Sequence, residues 1–195
     1  MRVFSLIKLF FQSKWRFFLP SKKKILIYDK ADSDLIFKYI KQDDCGILYS
    51  RFEEINILIL FFAILDLRKN RLSRKYVYKY IKYVNPKVII TYTDTNWSFY
   101  ELKKNFKNIT TISIQNGYRR SLQHLRRANV QHEDLAVDYL FVMDKTHKEL
   151  YSKFIKGNIV VSGSIKNNFV PTKAKQNHLK KLLFVSQYQD PKTFI

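Results

Sequence analysis

The chain has 195 residues, and its 36 Lys and Arg against 16 Asp and Glu give a formal net charge of +20. A content of 46% hydrophobic and 16% aromatic residues is enough for a packed core and excludes a disordered basic tail. The scarcity of Gly and Pro disfavours a many-turned β-sandwich, and the single Cys45 excludes an internal disulfide and a cysteine-built zinc site. The charge leaves nucleic acid, an anionic membrane surface and phosphate-bearing substrates open as partners.

The first segment, residues 1–23, combines Phe, Trp, Leu and Ile with basic residues and contains no acidic residue. Its apolar runs are too short for a spanning helix and lack the pattern of a signal peptide. The composition predicts a basic amphipathic helix, and residues 1–24 could lie on an anionic membrane. The alternative is a helix that packs on its own domain or on a missing one.

From residue 24 onward, short apolar strands alternate with helical segments. The predicted strands are 24–29, 45–50, 87–92, 110–115, 137–143 and 158–162, and the predicted helices are 31–42, 55–67, 73–84, 97–106 and 145–154. The apolar run 55–67 is predicted to be a buried helix, with a re-entrant membrane segment as the alternative. The alternation predicts an α/β, Rossmann-like fold: a parallel sheet with helices on both faces.

The end of the sequence changes in character. Residues 171–180 are polar and predict a linker, and residues 181–186 begin another strand. We therefore expect one domain at 24–170 and only the start of a second Rossmann-like domain at 181–195, as in a two-domain protein that is cut early.

Ligands of parallel α/β folds bind beyond the carboxyl ends of the strands. There, Asp94 could orient or deprotonate an acceptor hydroxyl, and Asn96 could contact it; both could instead cap the helix that begins at Trp97. Gln115 and Asn116 have side chains suited to sugar hydroxyls. Gly117 could allow close backbone approach to a ligand or serve only a tight turn.

Two further loops could meet phosphate. Arg119 and Arg120 open a long basic connection that also holds Arg126 and Arg127, and these guanidinium groups could bind a phosphate or simply be solvated. His124 and His132 in the same loop form no recognisable metal set. The last loop could receive phosphate through backbone N–H groups or be an ordinary turn; its candidate residues are Ser162, Gly163, Ser164 and Asn168.

Several stretches together resemble a known family. They are 85–91, 94–96, 113–119, 138–142, 160–168 and 183–188. In this order and spacing they resemble bacterial surface carbohydrate biosynthesis proteins, which are similar to B-type glycosyltransferases and to CDP-glycerol glycerophosphotransferases.

The resemblance implies the acceptor-side, N-terminal domain of a two-domain GT-B-like fold, facing a donor-binding second domain. It implies a nucleotide-activated sugar or polyol donor as substrate, no permanently bound cofactor, and a sugar or lipid-linked acceptor. The related polymerases carry a histidine, proposed as a base, directly before the equivalent of Gly117. Here that residue is Asn116, which cannot accept a proton at neutral pH, so a different base, or none on this half, would be needed.

Three functions follow as hypotheses. The first is a surface polysaccharide transferase, or its N-terminal half, at the inner face of the cytoplasmic membrane. The second is a nucleic-acid-binding protein, favoured by charge but lacking any recognition motif. The third is a non-catalytic remnant of a broken transferase gene.

Overall fold

The computed structural model of the chain describes residues 13–31, 33–68, 70–120, 122 and 135–169. In chain order its strands are β1 Lys14–Arg16, β2 Ile25–Tyr28, β3 Cys45–Leu48, β4 Glu54–Asn56, β5 Val88–Thr91, β6 Thr110–Ile114, β7 Ala136–Val142 and β8 Lys156–Val161. Six of them form one sheet in the order β3-β2-β5-β6-β7-β8, and every neighbouring pair is parallel. Strands β1 and β4 pair separately, also in parallel.

The helices connect these strands. The α-helices are α1 Ile57–Ile64, α2 Leu72–Val84, α3 Trp97–Tyr100, α4 Leu102–Asn105 and α5 Lys145–Ser152, and short 3-10 helices lie at Ser33–Lys38, Gln42–Asp44 and Asn167–Phe169. Helix α2 ends where the sequence predicts, because Asn85 adopts a left-handed conformation with φ 55° and donates its N–H to the Ile81 carbonyl. Pro86 then prevents continuation.

The two faces of the sheet carry two separate cores. Alternate residues of a strand point to opposite faces, so Leu26 and Tyr28 of β2 pack with residues of all five α-helices. Ile27, on the other face, packs with Ile36 of the first 3-10 helix. The predicted fold class is confirmed: a parallel α/β sheet flanked by helices, consistent with a Rossmann-like fold.

The strand order contains one reversal. Strand β3 lies on one side of β2, whereas β5 and all later strands of the sheet lie on the other side. The carboxyl ends of β2 and β5 therefore form the topological switch point, the usual ligand position in open parallel sheets. Asp29 follows β2 there; it is buried, has φ 80° and accepts a hydrogen bond from Arg51 Nε at 2.9 Å.

The predicted N-terminal helix is wrong for the part of it that the structure describes. Lys14–Arg16 is a strand that pairs with Glu54–Asn56, and the partly buried Trp15 packs against the main core. Backbone pairing and the anchoring of Trp15 override the helical pattern. Residues 1–12 lie outside the described ranges, as do the predicted linker 171–180 and the predicted strand at 181–186.

Three predicted helices differ in detail. The segment 31–42 contains only a 3-10 helix, and 97–106 is divided into α3 and α4 at Glu101. The run 55–67 forms α1, but the prediction that it is buried is wrong, because only Ile59 and Ala63 of the helix are buried. Glu54 belongs to a strand rather than to the start of this helix.

Candidate functional site

Because all six strands are parallel, the loops after them meet at one edge of the sheet. The structure shows two groups of residues there. One is a hydrogen-bonded cluster around Asp94, and the other is a cavity close to the switch point.

Asp94 lies in the loop after β5 and is completely buried. Its Oδ1 accepts hydrogen bonds from Arg119 Nη2 at 2.9 Å and from the Asn116 backbone N–H at 3.1 Å. Its Oδ2 accepts from Arg119 Nε at 2.9 Å and from the Tyr151 hydroxyl. The carboxylate therefore has four donors, and its geometry fits the positioning of Arg119 and Asn116.

The guanidinium of Arg119 completes this cluster. Its Nη2 also donates to Asn116 Oδ1, and within the described residues Nη1 makes only a long 3.4 Å contact with the Tyr118 carbonyl. Burial lowers the pKa of Arg119, but the Asp94 carboxylate outweighs it, so the net pKa is raised and the group stays cationic. Nη1 is thus the donor nitrogen that remains for a ligand.

Two buried tyrosines donate hydrogen bonds to Asp94, and burial keeps their hydroxyl groups protonated. Burial raises the pKa of Tyr151 far above its usual value, and the Asp94 carboxylate raises it further. Burial likewise raises the pKa of Tyr100, which donates to the Asp94 backbone carbonyl at 2.8 Å. Both hydroxyls remain neutral donors at any physiological pH.

His147 supports the same loop from α5, and the sequence analysis did not identify it. Its Nε2 accepts the backbone N–H of Arg119 at 3.1 Å, so the ring proton is on Nδ1 and is donated to Asp144 Oδ2 at 2.8 Å. Asp144 is also the N-cap of α5, and its bond from the His147 backbone N–H leads the contacts that lower its pKa. The Tyr118 ring packs edge-on against the imidazole.

Gln115 and Gly117 serve the shape of this loop. Gln115 is buried, donates to the Gly117 carbonyl at 2.8 Å and accepts from the Met143 N–H at 2.9 Å. Gly117 does not adopt a positive φ, and a Cβ there would meet Arg119 Nη1 at an ordinary 3.4 Å. The backbone conformation at Gly117 therefore does not itself require glycine, and close approach of a ligand stays a prediction.

The cavity encloses about 230 Å³ at the carboxyl ends of β2, β3 and β5. Its walls include Tyr28 and Ser50, which end or follow strands, and Trp97 at the start of α3. The Ser50 hydroxyl is buried and has no hydrogen-bond partner among the groups that the structure describes. A buried polar atom without a partner calls for an explanation. Ser50 lines the cavity, so rotation of its side chain would bring the hydroxyl to a ligand there.

Helix α2 begins at this cavity. A helix that connects two parallel strands runs antiparallel to them, so it starts near the carboxyl ends of the strands. Arg71, its N-cap residue, lines the cavity without a side-chain capping bond, and Ser73 and Arg74 of the first turn line it as well. Arg74 bridges Glu101 at 2.7 Å and lies over the Trp97 ring at 5.8 Å. Within the described part of the chain, Arg71 has no ion-pair partner. The positive end of α2 adds to the attraction for an anion.

Of the remaining predicted residues, Asn96 belongs to the cavity, and the others do not line it. Asn96 lines the cavity, but its Oδ1 caps α3 by accepting the Ser98 N–H at 3.1 Å, which confirms the capping interpretation. Arg120 is exposed. The loop after β8 holds the exposed Ser162, Gly163 and the half-buried Ser164, and Asn168 donates to the Tyr39 hydroxyl at 2.9 Å.

Most residues of the cavity were not predicted from the sequence. The predicted site residues follow strands, whereas four cavity residues lie on or beside helices: Arg71, Ser73, Arg74 and Trp97. The signal that could have identified them is geometric: the helix after a parallel strand must begin again near the carboxyl edge. Across the described ranges, no group of three or more His, Cys, Asp or Glu could hold a metal ion. No helix within those ranges has the length and apolarity needed to cross a bilayer.

Comparison with known proteins links the chain to one kind of pathway. Residues 112–195, less than half of the chain, match the model of a family described as "putative O-antigen biosynthesis protein". The match begins in β6 and includes the loop of Asn116 and Arg119. No curated protein and no solved structure matches the chain. The match supports a role in surface polysaccharide biosynthesis and names no reaction.

Proposed function

We propose that the chain is a glycosyl- or polyol-phosphate-transferase-like protein of surface polysaccharide biosynthesis, and that its cavity binds the phosphate-bearing sugar end of an acceptor. The observation that carries this proposal is the cavity at the switch point, which is lined by Arg71, Arg74 and Ser50, whose buried hydroxyl has no hydrogen-bond partner among the described groups. The family match favours this hypothesis over nucleic-acid binding.

The size of the cavity limits what it can hold. Pockets for drug-sized ligands usually enclose about 300–1,000 Å³. A volume of about 230 Å³ suits one monosaccharide or one phosphate-bearing group and is too small for a complete nucleotide sugar. The nucleotide-activated donor therefore needs a second site, which we propose a partner domain supplies, as in GT-B-like enzymes.

The walls of the cavity fit a sugar phosphate in two ways. The Trp97 ring and the apolar side chain of Val77 offer flat or apolar contact to a sugar ring, and Ser73 and Ser98 offer hydroxyl groups. Arg71 offers a guanidinium that has no ion-pair partner in the described ranges, and its fork matches phosphate oxygens. Glu101 holds Arg74 in place and could accept a bond from a sugar hydroxyl.

We propose that the Asp94 cluster acts beside the cavity by positioning. Asp94 fixes Arg119, and Arg119 Nη1 is free to meet negative charge on a leaving or acceptor phosphate. Electrostatic stabilisation of that charge fits a site without a protein-held metal. A catalytic role for Asp94 stays a prediction, as do ligand contacts by Gln115, Arg120 and the Ser162–Asn168 loop.

Calorimetric titration of the full chain with glucose 1-phosphate and with inorganic pyrophosphate tests the cavity. A charge-assisted bond is worth about 1.5–3 kcal/mol, so Arg71→Ala is expected to weaken binding by about ten- to a hundredfold. The matched control is Lys107→Ala, which removes an exposed cation outside the cavity and is expected to change little. Equal affinities of the wild type and Arg71→Ala would contradict the proposal.

A further inference from the structure

Helix α1 has a composition that does not match its exposure. All eight residues of Ile57–Ile64 are apolar, yet Phe61 is 55% exposed, Phe62 43% and Ile64 58%. A helix that is apolar all round is normally enclosed by protein or in contact with lipid. Here the protein core takes up only Ile59, Ala63 and part of Leu60. The outer side of α1 therefore needs a non-aqueous partner.

The exposed apolar area extends beyond the helix at both ends. Before it, Phe17 is 63% and Phe18 89% exposed, and the Phe18 carbonyl accepts a bond from Asn56 Nδ2, the N-cap residue of α1. After it, Leu67 is 97% exposed. We call this area the α1 surface, formed by Phe17, Phe18, Phe61, Phe62, Leu65 and Leu67. Apolar patches of this extent mark interaction sites.

The charges around the α1 surface identify its partner as anionic. Lys14 and Arg16 are exposed beside Phe17, and Arg68 follows Leu67. The acidic groups nearby are mostly compensated: Asp66 is bridged by Arg68 and Lys79. Glu54 is likewise bridged by Arg16. Lys14, Arg16, Arg68 and Lys79 therefore stand against Glu53, Glu54 and Asp66, and this side of the described chain keeps a small excess of positive charge. A second copy docked on the same surface would bring like cations together, whereas anionic lipid would attract them.

The length of α1 decides how it meets lipid. Eight residues at 1.5 Å each give about 12 Å, against about 30 Å for the hydrocarbon layer, so the helix cannot cross a bilayer. It can lie in the interface with its apolar side chains about 5–10 Å deep and its flanking cations at the headgroups. We propose that the α1 surface docks on an anionic membrane in this orientation. The proposal concerns a different surface from the cavity and does not depend on ligand binding there.

Vesicle flotation of the full chain tests the proposal. We expect the protein to float with phosphatidylcholine vesicles that contain phosphatidylglycerol and much less with phosphatidylcholine alone. The double variant Phe61→Ser/Phe62→Ser is expected to lower the membrane-bound to free ratio by about tenfold or more, because two large apolar side chains no longer leave water. The matched control is Tyr139→Ser on β7, which removes a 42% exposed aromatic residue outside the α1 surface and should float as the wild type.

A second variant keeps the test decisive if the double variant does not fold. Leu67 is almost fully exposed, so Leu67→Ser leaves the core intact and is expected to lower the ratio by about threefold. Unchanged flotation of the folded Phe61/Phe62 variant, or of Leu67→Ser, would overturn the proposal. The proposal would also be overturned if the wild type were a dimer without vesicles and the same variants were monomers, because the surface would then serve self-association. The proposal would be overturned as well if deletion of residues 1–12 abolished flotation while the variants of the α1 surface left it unchanged.

Discussion

Replacement of Asp94 by Asn probes the cluster on which the Arg119 loop depends. The change keeps the shape of the side chain but removes the charge that faces Arg119 Nε and Nη2, each at 2.9 Å. One oxygen acceptor also becomes an NH₂ donor, which in either orientation faces a guanidinium N–H and, in addition, either the Tyr151 hydroxyl or the Asn116 N–H. Because Asp94 is fully buried and the Arg119 side chain is only 22% exposed, water cannot replace the lost partner.

The expected loss of stability follows from the burial of the ion pair between Asp94 and Arg119. Removal of one partner from a buried ion pair costs about 3–5 kcal/mol, because the remaining charge stays desolvated. We expect Asp94→Asn to lower the free energy of unfolding by that amount, a large part of the 5–15 kcal/mol typical of a domain. Urea unfolding followed by circular dichroism measures it, with Arg120→Ala as a control expected to change stability by no more than about 0.5 kcal/mol. A loss below about 1 kcal/mol for Asp94→Asn would refute the positioning role.

Two further predictions concern the strands at the far side of the sheet. A Cβ on Gly157, whose φ is 145°, would lie 1.9 Å from the Val137 carbonyl oxygen, so Gly157→Ala should lower the free energy of unfolding by about 2–5 kcal/mol. The control is Gly163→Ala: Gly163 has φ 75° and open space around it, so this change should cost only about 1–2 kcal/mol. Equal losses in thermal unfolding would contradict this reading. For Asp138, burial raises the pKa, but hydrogen bonds led by Lys103 Nζ outweigh it and hold the pKa below 3.8. Its ionised form therefore stabilises the fold above pH 3.8, and this contribution is lost as the pH falls further. Asp138→Asn should therefore make the free energy of unfolding less dependent on pH in acid, and it should cost about 1–2 kcal/mol at neutral pH. An unchanged pH dependence of stability in this variant would disprove the role of Asp138.

The sequence was sufficient for the fold because its strongest patterns are local. Short apolar strands between Pro, Asn and Gly signals, such as the one after Pro86, predicted the sheet strands within a few residues. Helix α2 followed from its alternating faces and its Asn85 stop. The pattern failed where pairing with a distant segment decides the structure. Lys14–Arg16 is extended because Glu54–Asn56 lies beside it, and nothing in the local sequence shows that pairing.

The candidate site was predictable only in part, for the same reason. Strand ends pointed to Asp94, Asn116 and Arg119, and the structure brings these three together. The sequence did not show that the Asp94 carboxylate has its own donors, because Tyr151 and Arg119 are far from it along the chain. The cavity was missed because Arg71 and Arg74 reach the edge of the sheet only through the direction of α2.

Cocrystallisation of the full chain with glucose 1-phosphate would show whether the cavity binds a sugar phosphate. We expect the phosphate to lie within hydrogen-bond distance of the Arg71 guanidinium and the sugar to contact Trp97 or the Ser50 hydroxyl. Ligand density beside Arg119 or in the loop of Ser162 alone, with the cavity filled only by water, would contradict this expectation.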